Sequence, residues 1–343
     1  MIIRLLLPLL FVLLLGSAAS AGCPRYQAPG QFNYPPTWGV NSGVVIDGFV
    51  DVRKKASGLY NVLHGVDLSR FNTAKYTELS ECGGTFAFVQ LDQSWNTHYS
   101  GVRSQNAVVI PYYFLKLPAP LRNVSSFDRD LAATEIAEYR RIYAEAGARS
   151  GRDFISKIGP VIKAAGDSVN ISGLAGRFVA LDVEQSPTTK PVSAAQQKYF
   201  GRFYAVALCA WIKTVKTESK YSDLIPILYT FPAIYSDYLQ YAYPEETNCL
   251  QGLPIWIART TLDAGEASSP SNRPNVDKMV QRMCRIQSGN RCIIHQYSHR
   301  GTFIATGKSV KGIPPTVDLN RFYLAKPVKN GVGIQYVRVE DSH

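Results

Sequence analysis

Two carboxylates stand two residues apart at the end of an apolar segment, in the run Arg177-Phe-Val-Ala-Leu-Asp-Val-Glu184. Residues two apart in a β-strand face the same side, so this spacing predicts that Asp182 and Glu184 point together from a buried strand. Two close carboxyl groups push their pKa values apart, so one holds a proton while the other stays ionised, as glycosidic bond cleavage requires. On the local pattern alone, an equally good interpretation is that Asp182 starts a turn and Glu184 caps the next helix.

Two further aspartates end apolar runs in the same way. They are Asp67 in Leu63-His-Gly-Val-Asp-Leu-Ser69 and Asp318 in Pro315-Thr-Val-Asp-Leu-Asn320. If each run is a strand of one barrel, these carboxylates converge with Asp182 and Glu184 at a single face. Aromatic side chains, which stack on sugar rings and bond their hydroxyls, cluster near the same strand ends. They are Tyr112, Tyr113, Phe114, Tyr229, Phe231, Trp256 and Tyr297, and for about half of them we expect plain core packing.

Other reactive constellations are poorly supported. His295 and His299 are four residues apart, but the sequence around them is typical of a strand and a turn, and no H-E-x-x-H occurs. We therefore expect no metal site. The chain has no G-x-S-x-G and no glycine-rich phosphate loop, so neither a serine hydrolase nor a nucleotide-dependent enzyme is indicated, and no cofactor is expected.

Short apolar runs that alternate with helical patterns must position these residues. Strands are predicted at 62–67, 85–91, 107–114, 177–184, 226–230, 254–258, 292–297 and 316–320. Helices are predicted at 128–146, ended by Gly147, and at 194–216 and 232–240, while 148–176 and 259–291 look like long loops. The alternation predicts an α/β fold with parallel pairing, and eight strands with fewer helices suggest a distorted, TIM-barrel-like β/α barrel.

The first residues and the cysteines indicate the compartment. Arg4 precedes an apolar run and the small residues Ala19-Ser-Ala21, so residues 1–21 are predicted to be an export signal that is removed. The six cysteines (Cys23, Cys82, Cys209, Cys249, Cys284 and Cys292) form an even set without a C-x-x-C pair, which favours disulfides over zinc. Cys284 and Cys292 could close a local loop, and the other pairings stay open. A lipidated Cys23 is the alternative, which the even count disfavours.

The remaining chain divides into an extension at 22–60, a barrel domain at 61–326 and a tail at 327–343. We expect a secreted, periplasmic or extracellular protein without an integral membrane segment; a monomer is the working expectation.

The formal net charge of +11 suits an anionic surface such as bacterial cell wall, with nucleic acid as the alternative. The basic residues are scattered and do not interleave with aromatic residues, so nucleic-acid binding is not expected.

Seven short stretches, in the same order along the chain, resemble the family 25 glycoside hydrolases, the lysozymes (N-acetylmuramidases) that cut bacterial peptidoglycan. They span roughly residues 61–323. The stretches are Gly65-Val-Asp-Leu-Ser69, Pro111-Tyr-Tyr-Phe114, Leu181-Asp-Val-Glu184, Ile227-Leu-Tyr-Thr230, Leu253-Pro-Ile-Trp-Ile-Ala258, His295-Gln-Tyr-Ser298 and Val317-Asp-Leu-Asn320.

The resemblance implies a distorted barrel of eight strands and cleavage of the β-1,4 bond between N-acetylmuramic acid and N-acetylglucosamine. It implies Glu184 as the general acid that protonates the leaving oxygen. Asp182 would stabilise the positive charge on the sugar, directly or by orienting a substrate acetamide group. It implies that Asp67 and Asp318 hold the hydrogen-bond network of the cleft. The other predicted substrate-binding residues are the clustered aromatic residues Tyr112, Tyr113, Tyr229 and Trp256, and Gln296 of the stretch His295-Gln-Tyr-Ser298.

The chain departs from the family around the cleft. In place of the usual K-A-[TS]-E-G stretch it has Phe88-Val-Gln-Leu-Asp-Gln-Ser-Trp95, in which Asp92 could substitute for the acidic residue. After the opening motif it has Arg70-Phe-Asn72 instead of a histidine or aromatic residue and a glutamine. These departures indicate an altered substrate preference. Two alternatives stay open: a non-catalytic cell-wall carbohydrate-binding protein, and a hydrolase of a modified or different amino-sugar polymer.

Overall fold

The structure is a computed structural model. It describes residues 61–81, 84–165, 169–171, 174–221, 223–251, 253–258, 292–301, 317–324, 326–327 and 334–335. The predicted export signal, the extension at 22–60, most of the tail, the loop at 259–291, Cys23, Cys82 and Cys284 lie outside these residues.

Strands and helices alternate along most of the described chain. The strands are β1 (Asn61–Leu68), β2 (Gly84–Gln90), β3 (Val108–Phe114), β4 (Val169–Ile171), β5 (Leu174–Asp182), β6 (Leu224–Thr230), β7 (Ile255–Ala258), β8 (Cys292–Gly301), β9 (Val317–Leu324), β10 (Lys326–Pro327) and β11 (Ile334–Gln335). The helices are α1 (Thr77–Glu81), α2 (Trp95–Arg103), α3 (Ala119–Arg122), α4 (Ala133–Ala165), α5 (Ala194–Glu218), α6 (Pro232–Asp237) and α7 (Pro244–Gln251). Short 3-10 helices lie at Ser125–Phe127 and Leu239–Tyr241.

One mixed sheet forms the centre of the fold. Its order is β3-β2-β1-β9-β8-β7-β6-β5-β4, and β3 also pairs with β5, so the sheet curls. The pairings along the sheet from β3 to β1 and from β5 to β8 are parallel, whereas β9 is antiparallel to both β1 and β8. The predicted α/β class is therefore found, and the curled sheet is consistent with a distorted barrel.

Two details of the barrel prediction are wrong. All eight predicted segments coincide with strands, but the sheet has nine strands because β4 forms an antiparallel pair with β5. A full TIM barrel is also wrong, because that fold consists of parallel strands and β9 runs the other way.

The alternation of side chains along the strands separates an inner from an outer core. The inner core lies within the curl of the sheet and contains large rings and aliphatic chains, among them Phe88, Ile110, Phe178, Ile227 and Trp256. Residues one position along the same strands, such as Val179, Leu181 and Leu228, pack outward against α4 and α5. The sheet is thus buried on both faces, as expected for strands covered by crossover helices.

Helix α4 is longer than its sequence pattern suggested. The prediction ended it at Gly147 with a loop after it, but the helix continues to Ala165. Gly147 is buried against α5, and a Cβ placed there would lie 2.0 Å from the carbonyl oxygen of Ala207. The glycine therefore permits close packing of the two helices instead of ending the first one.

Helices α5 and α7 are joined by a disulfide between Cys209 and Cys249. This agrees with the disulfides predicted from the even set of cysteines. Among the described residues, none of the helices is both long and apolar enough to span a bilayer.

Candidate active site

Strand alternation places Asp182 inside the curled sheet. Phe178 and Ala180 belong to the inner core, and Asp182 is the next residue of the same parity at the end of β5. Its side chain is 6% exposed, and its Oδ1 accepts no hydrogen bond from any described residue. A buried carboxylate oxygen without a donor is costly, which makes Asp182 a candidate for contact with a ligand.

Glu184 lies just beyond β5, where strand pairing no longer holds the chain. Two hydrogen bonds hold the backbone of the preceding residue, Val183. Its amide donates to the carbonyl of Tyr229 (2.9 Å), and the carbonyl of Val183 accepts from Thr230 Oγ1 (2.7 Å). One hydrogen bond holds the side chain of the following residue: the side-chain oxygen of Gln185 accepts from the amide of Leu117 (2.5 Å). Glu184 therefore stands on a segment that is anchored on both sides.

The alternative interpretation of Glu184 as a helix cap is wrong. The next long helix, α5, begins at Ala194, and its cap is Ser193, whose side chain accepts from the amide of Gln196. Glu184 instead interacts electrostatically with Asp182.

Asp67 and Asp318 form a second carboxylate pair. They are opposite each other in the antiparallel pairing of β1 with β9. The side-chain amide of Gln296 donates to both, to Asp67 Oδ2 at 2.8 Å and to Asp318 Oδ2 at 3.1 Å. Asn320, two residues after Asp318 on the same face of β9, also donates to Asp67 Oδ2 (3.0 Å).

The two amides that bind Asp67 are held in turn by aromatic side chains. The hydroxyl of Tyr229 donates to Gln296 Oε1 (3.0 Å), and the indole nitrogen of Trp256 donates to Asn320 Oδ1 (2.8 Å). These bonds leave the amide nitrogens of Gln296 and Asn320 directed at the acids. The result is a buried polar network in which the amide, hydroxyl and indole donors named above each bond to a carboxylate or an amide oxygen.

Trp256 is also the centre of an aromatic cluster. Its ring stacks on Phe88 with centroids 3.7 Å apart and meets Tyr229 edge-on at 4.4 Å and Tyr112 at 6.2 Å. These rings are buried in the inner core. The packed rings hold Tyr229 and Trp256 in place, and these two residues donate to the polar network.

Burial and mutual repulsion raise the pKa values of the inner acids. Burial raises the pKa of Asp67 well above its ordinary value, and the charge of Asp318 raises it further. Burial also raises the pKa of Asp182, with additional contributions from the charges of Glu184 and Asp67. Because charge is costly here, Asp67 and Asp182 both favour their neutral forms, and carboxyl groups with raised pKa values are common at functional sites.

The structure brings most of the predicted residues together but not all of them. Asp67, Asp182, Tyr112, Tyr229, Trp256, Gln296 and Asp318 lie on or beside the inner face of the sheet, and Glu184 follows at its edge. Tyr113 does not join them: its hydroxyl donates to Asp153 of α4 (2.7 Å), and its ring packs on Phe154 and Trp211. Tyr113 follows Tyr112 directly, so the two side chains must face opposite sides of β3.

Three residues that position the site were missed by the sequence analysis. Asn320 has the same parity as Asp318, and this spacing could have revealed it. Thr230 and Gln185 bond to backbone groups that follow other strands, at Val183 after β5 and at Leu117 after β3, and no local sequence pattern predicts such contacts.

Asp92, which could substitute for the acidic residue of the K-A-[TS]-E-G stretch, lies in the turn after β2. Its two oxygens accept from the amides of Arg70 (3.0 Å) and Ser94 (2.8 Å), which makes it a fixed part of two turns. No group of three or more His, Cys, Asp or Glu residues suited to a metal ion occurs in the described part of the chain.

The comparisons with known proteins found no matching family model and no match among curated proteins. Solved structures do resemble the chain over 76% of its length. The spore cortex lytic enzyme SleM of Clostridium perfringens is 18% identical, covered over 67% of its chain, with a TM-score of 0.45. A family GH25 lysozyme from Aspergillus fumigatus is 14% identical, covered over 94%, with a TM-score of 0.41. A muramidase from Trichobolus zukalii is 15% identical, covered over 93%, with a TM-score of 0.40.

The description of the Aspergillus structure names the family that the sequence motifs resemble.

Proposed function

We propose that this protein is an exported glycoside hydrolase that cleaves the β-1,4 bond between N-acetylmuramic acid and N-acetylglucosamine in bacterial peptidoglycan. One observation carries the proposal: Asp182, with a buried oxygen that no described donor satisfies, lies next to Glu184 at the edge of an interior that holds a second acid pair. The ordered family motifs and the disulfide between Cys209 and Cys249 support the substrate and the export, respectively.

Glu184 is the proposed general acid. It lies at the rim of the interior, is less buried than Asp182 and stands on an anchored segment, so it can reach the oxygen of the leaving sugar. A proton shared within the Asp182–Glu184 pair passes from Glu184 to that oxygen as the glycosidic bond breaks.

Asp182 is the proposed charge stabiliser. Its anion is costly in the empty site, because it is buried and Glu184 and Asp67 repel it. A positive charge that develops on the sugar offsets this cost. The carboxylate is therefore more favourable in the transition state than in the ground state, which is what catalysis requires.

The experiment is digestion of purified peptidoglycan, with mass spectrometry of the soluble fragments. We expect fragments that end in reducing muramic acid. Glu184→Gln and Asp182→Asn should each lower kcat by about two to four orders of magnitude, the range for loss of a general acid or a charge stabiliser. Glu138→Gln on the exposed face of α4 is the matched control and should cleave normally.

The other outcomes identify the alternatives. Retention on peptidoglycan without fragments from wild type would favour a non-catalytic binding protein. Fragments from a de-N-acetylated wall alone would favour a hydrolase of a modified polymer. Unchanged activity of Glu184→Gln would refute its assignment as the acid.

A further inference from the structure

A rigid turn follows β1 at the edge of the sheet where the acids lie. The side chain of Asn72 accepts from the amide of Ser69 (2.7 Å), and the amide of Asn72 donates to the carbonyl of Ser69 (2.9 Å). The amide of Phe71 donates to Ser69 Oγ (3.3 Å). These local bonds satisfy the turn without help from solvent.

Two neighbouring elements fix the turn to the barrel. The amide of Arg70 donates to Asp92, which follows β2. His98 of α2 donates from Nε2 to the carbonyl of Ser69 (2.9 Å), and its Nδ1 accepts from the hydroxyl of Tyr76 (2.8 Å). Burial lowers the pKa of His98, so the ring is neutral and one nitrogen is free to accept, as this geometry needs.

The anchored turn holds two large side chains in water. Phe71 is 79% exposed, and the guanidinium carbon of Arg70 lies 4.8 Å from the centre of its ring. Arg70 covers one face of the ring and leaves the other open. A rigid aromatic ring that is already exposed and oriented loses little conformational entropy when a ligand packs on it.

Arg70 places a positive charge close in sequence to the inner acids. The inner acids favour neutral sugar hydroxyls and repel an anionic ligand, whereas Arg70 is a cation three residues after Asp67. In the part of the chain that the structure describes, Arg70 forms no salt bridge, while Arg129, Arg141 and Arg152 each pair with a glutamate. Its guanidinium therefore has no acidic partner among the described residues, and the side chain is exposed.

We propose that Arg70 and Phe71 form a rim subsite for the acidic peptide that muramic acid carries in peptidoglycan. The guanidinium pairs with a carboxylate of this peptide, and the open face of Phe71 packs on its apolar groups. The inference rests on the proposed function and makes it more specific: the enzyme prefers peptide-bearing wall over bare glycan strands.

The test compares two substrates of the same glycan. One is intact peptidoglycan, and the other is the same material after an amidase has removed the peptides. Arg70→Gln and Phe71→Ala should each lower kcat/KM on the intact wall by about fivefold, the effect of losing one partly exposed ion pair or contact. Both variants should act on stripped strands within about twofold of wild type. Arg149→Gln, an exposed arginine of α4, controls for the loss of one positive charge.

Equal losses on both substrates, or no loss on either, would overturn the subsite. If wild type cleaves neither substrate, the proposed function fails, and cosedimentation with the two materials then tests the subsite on its own. Selective loss of retention on intact wall by Arg70→Gln supports it, and equal retention of wild type and variant on both materials overturns it.

Discussion

At the scale of single residues, the buried acid Asp67 makes the stability of the folded protein depend on pH. Asp67 is buried beside Asp318, and its pKa is raised in the folded protein. The folded state therefore binds more protons than the unfolded state between the ordinary and the raised pKa. Stability from this residue is present at acidic pH and is lost as the pH rises through that window, the opposite of an ordinary salt-bridged aspartate.

Replacing Asp67 by Asn should remove this pH dependence. Asparagine is neutral like the protonated acid, and its oxygen can accept the bonds from Gln296 and Asn320. We expect Asp67→Asn to gain stability relative to wild type as the pH rises from about 4 to 7, as measured by urea unfolding. Asp128→Asn, at an exposed position, is the control and should follow wild type across the range. A variant whose stability difference is the same at every pH would show that Asp67 is not the source.

At the scale of elements, Glu184 depends on contacts that join three strand ends. Thr230, at the end of β6, donates to the carbonyl of Val183, and Gln185 accepts from the chain that follows β3. Neither touches the reacting atoms in the proposed mechanism, so we regard both as positioning residues for the acid.

Loss of either contact should lower kcat more than it affects KM or stability. Thr230→Val keeps the shape but removes the donor, and we expect kcat to fall by about tenfold with KM within about twofold, because a misplaced acid mainly affects the chemical step. Thr230→Ser should restore most of the activity, since it keeps the hydroxyl. Thr214→Val makes the same change at a buried threonine of α5, away from the acids, and should leave kcat unchanged.

The pairing of α4 with α5 gives a prediction about stability. Alanine is favoured over glycine by about 1 kcal/mol within a helix, so Gly159→Ala, with no atom near its new Cβ, should stabilise the protein by up to that amount. Gly147→Ala should do the reverse and cost about 3 kcal/mol or more, because its Cβ would overlap the backbone of Ala207. Urea unfolding of both variants checks the sign. Stabilisation by Gly147→Ala would mean that the two helices are less closely packed.

At the scale of the whole molecule, the alternation of residues along a strand predicts which face of the sheet each side chain points to. Asp182 continues the parity of Phe178 and Ala180, so the alternation in the sequence alone predicts that it faces the interior of the sheet. Tyr113 is predicted as a site residue because it belongs to the aromatic cluster at the strand ends, whereas strand alternation directs its side chain to α4 on the opposite face of the sheet. Gly147 looked like a helix end, because nothing local shows that another helix will pack on it.

The partner of each strand could be predicted only in part. The alternation of strands and helices predicts parallel pairing. However, β9 follows β8 without a described helix between them, and the two strands pair antiparallel. This reversal places Asp318 opposite Asp67, so the second acid pair depends on a feature that the local sequence does not encode. The contacts of Thr230 and Gln185 are of the same kind, since each joins residues far apart in the chain.

The disulfide is the last feature whose pairing the sequence left open, and it acts on the stability of the whole chain. Cys209 and Cys249 are 40 residues apart, and a cross-link over such a loop stabilises by about 3–4 kcal/mol, mainly by restricting the unfolded chain. We expect Cys209→Ser, Cys249→Ser and the double variant each to lose about this amount in urea unfolding. The double variant should lose little more than either single one, because one substitution already opens the link. Additive losses would show that the two sulfurs contribute separately and that the bond is not formed in solution.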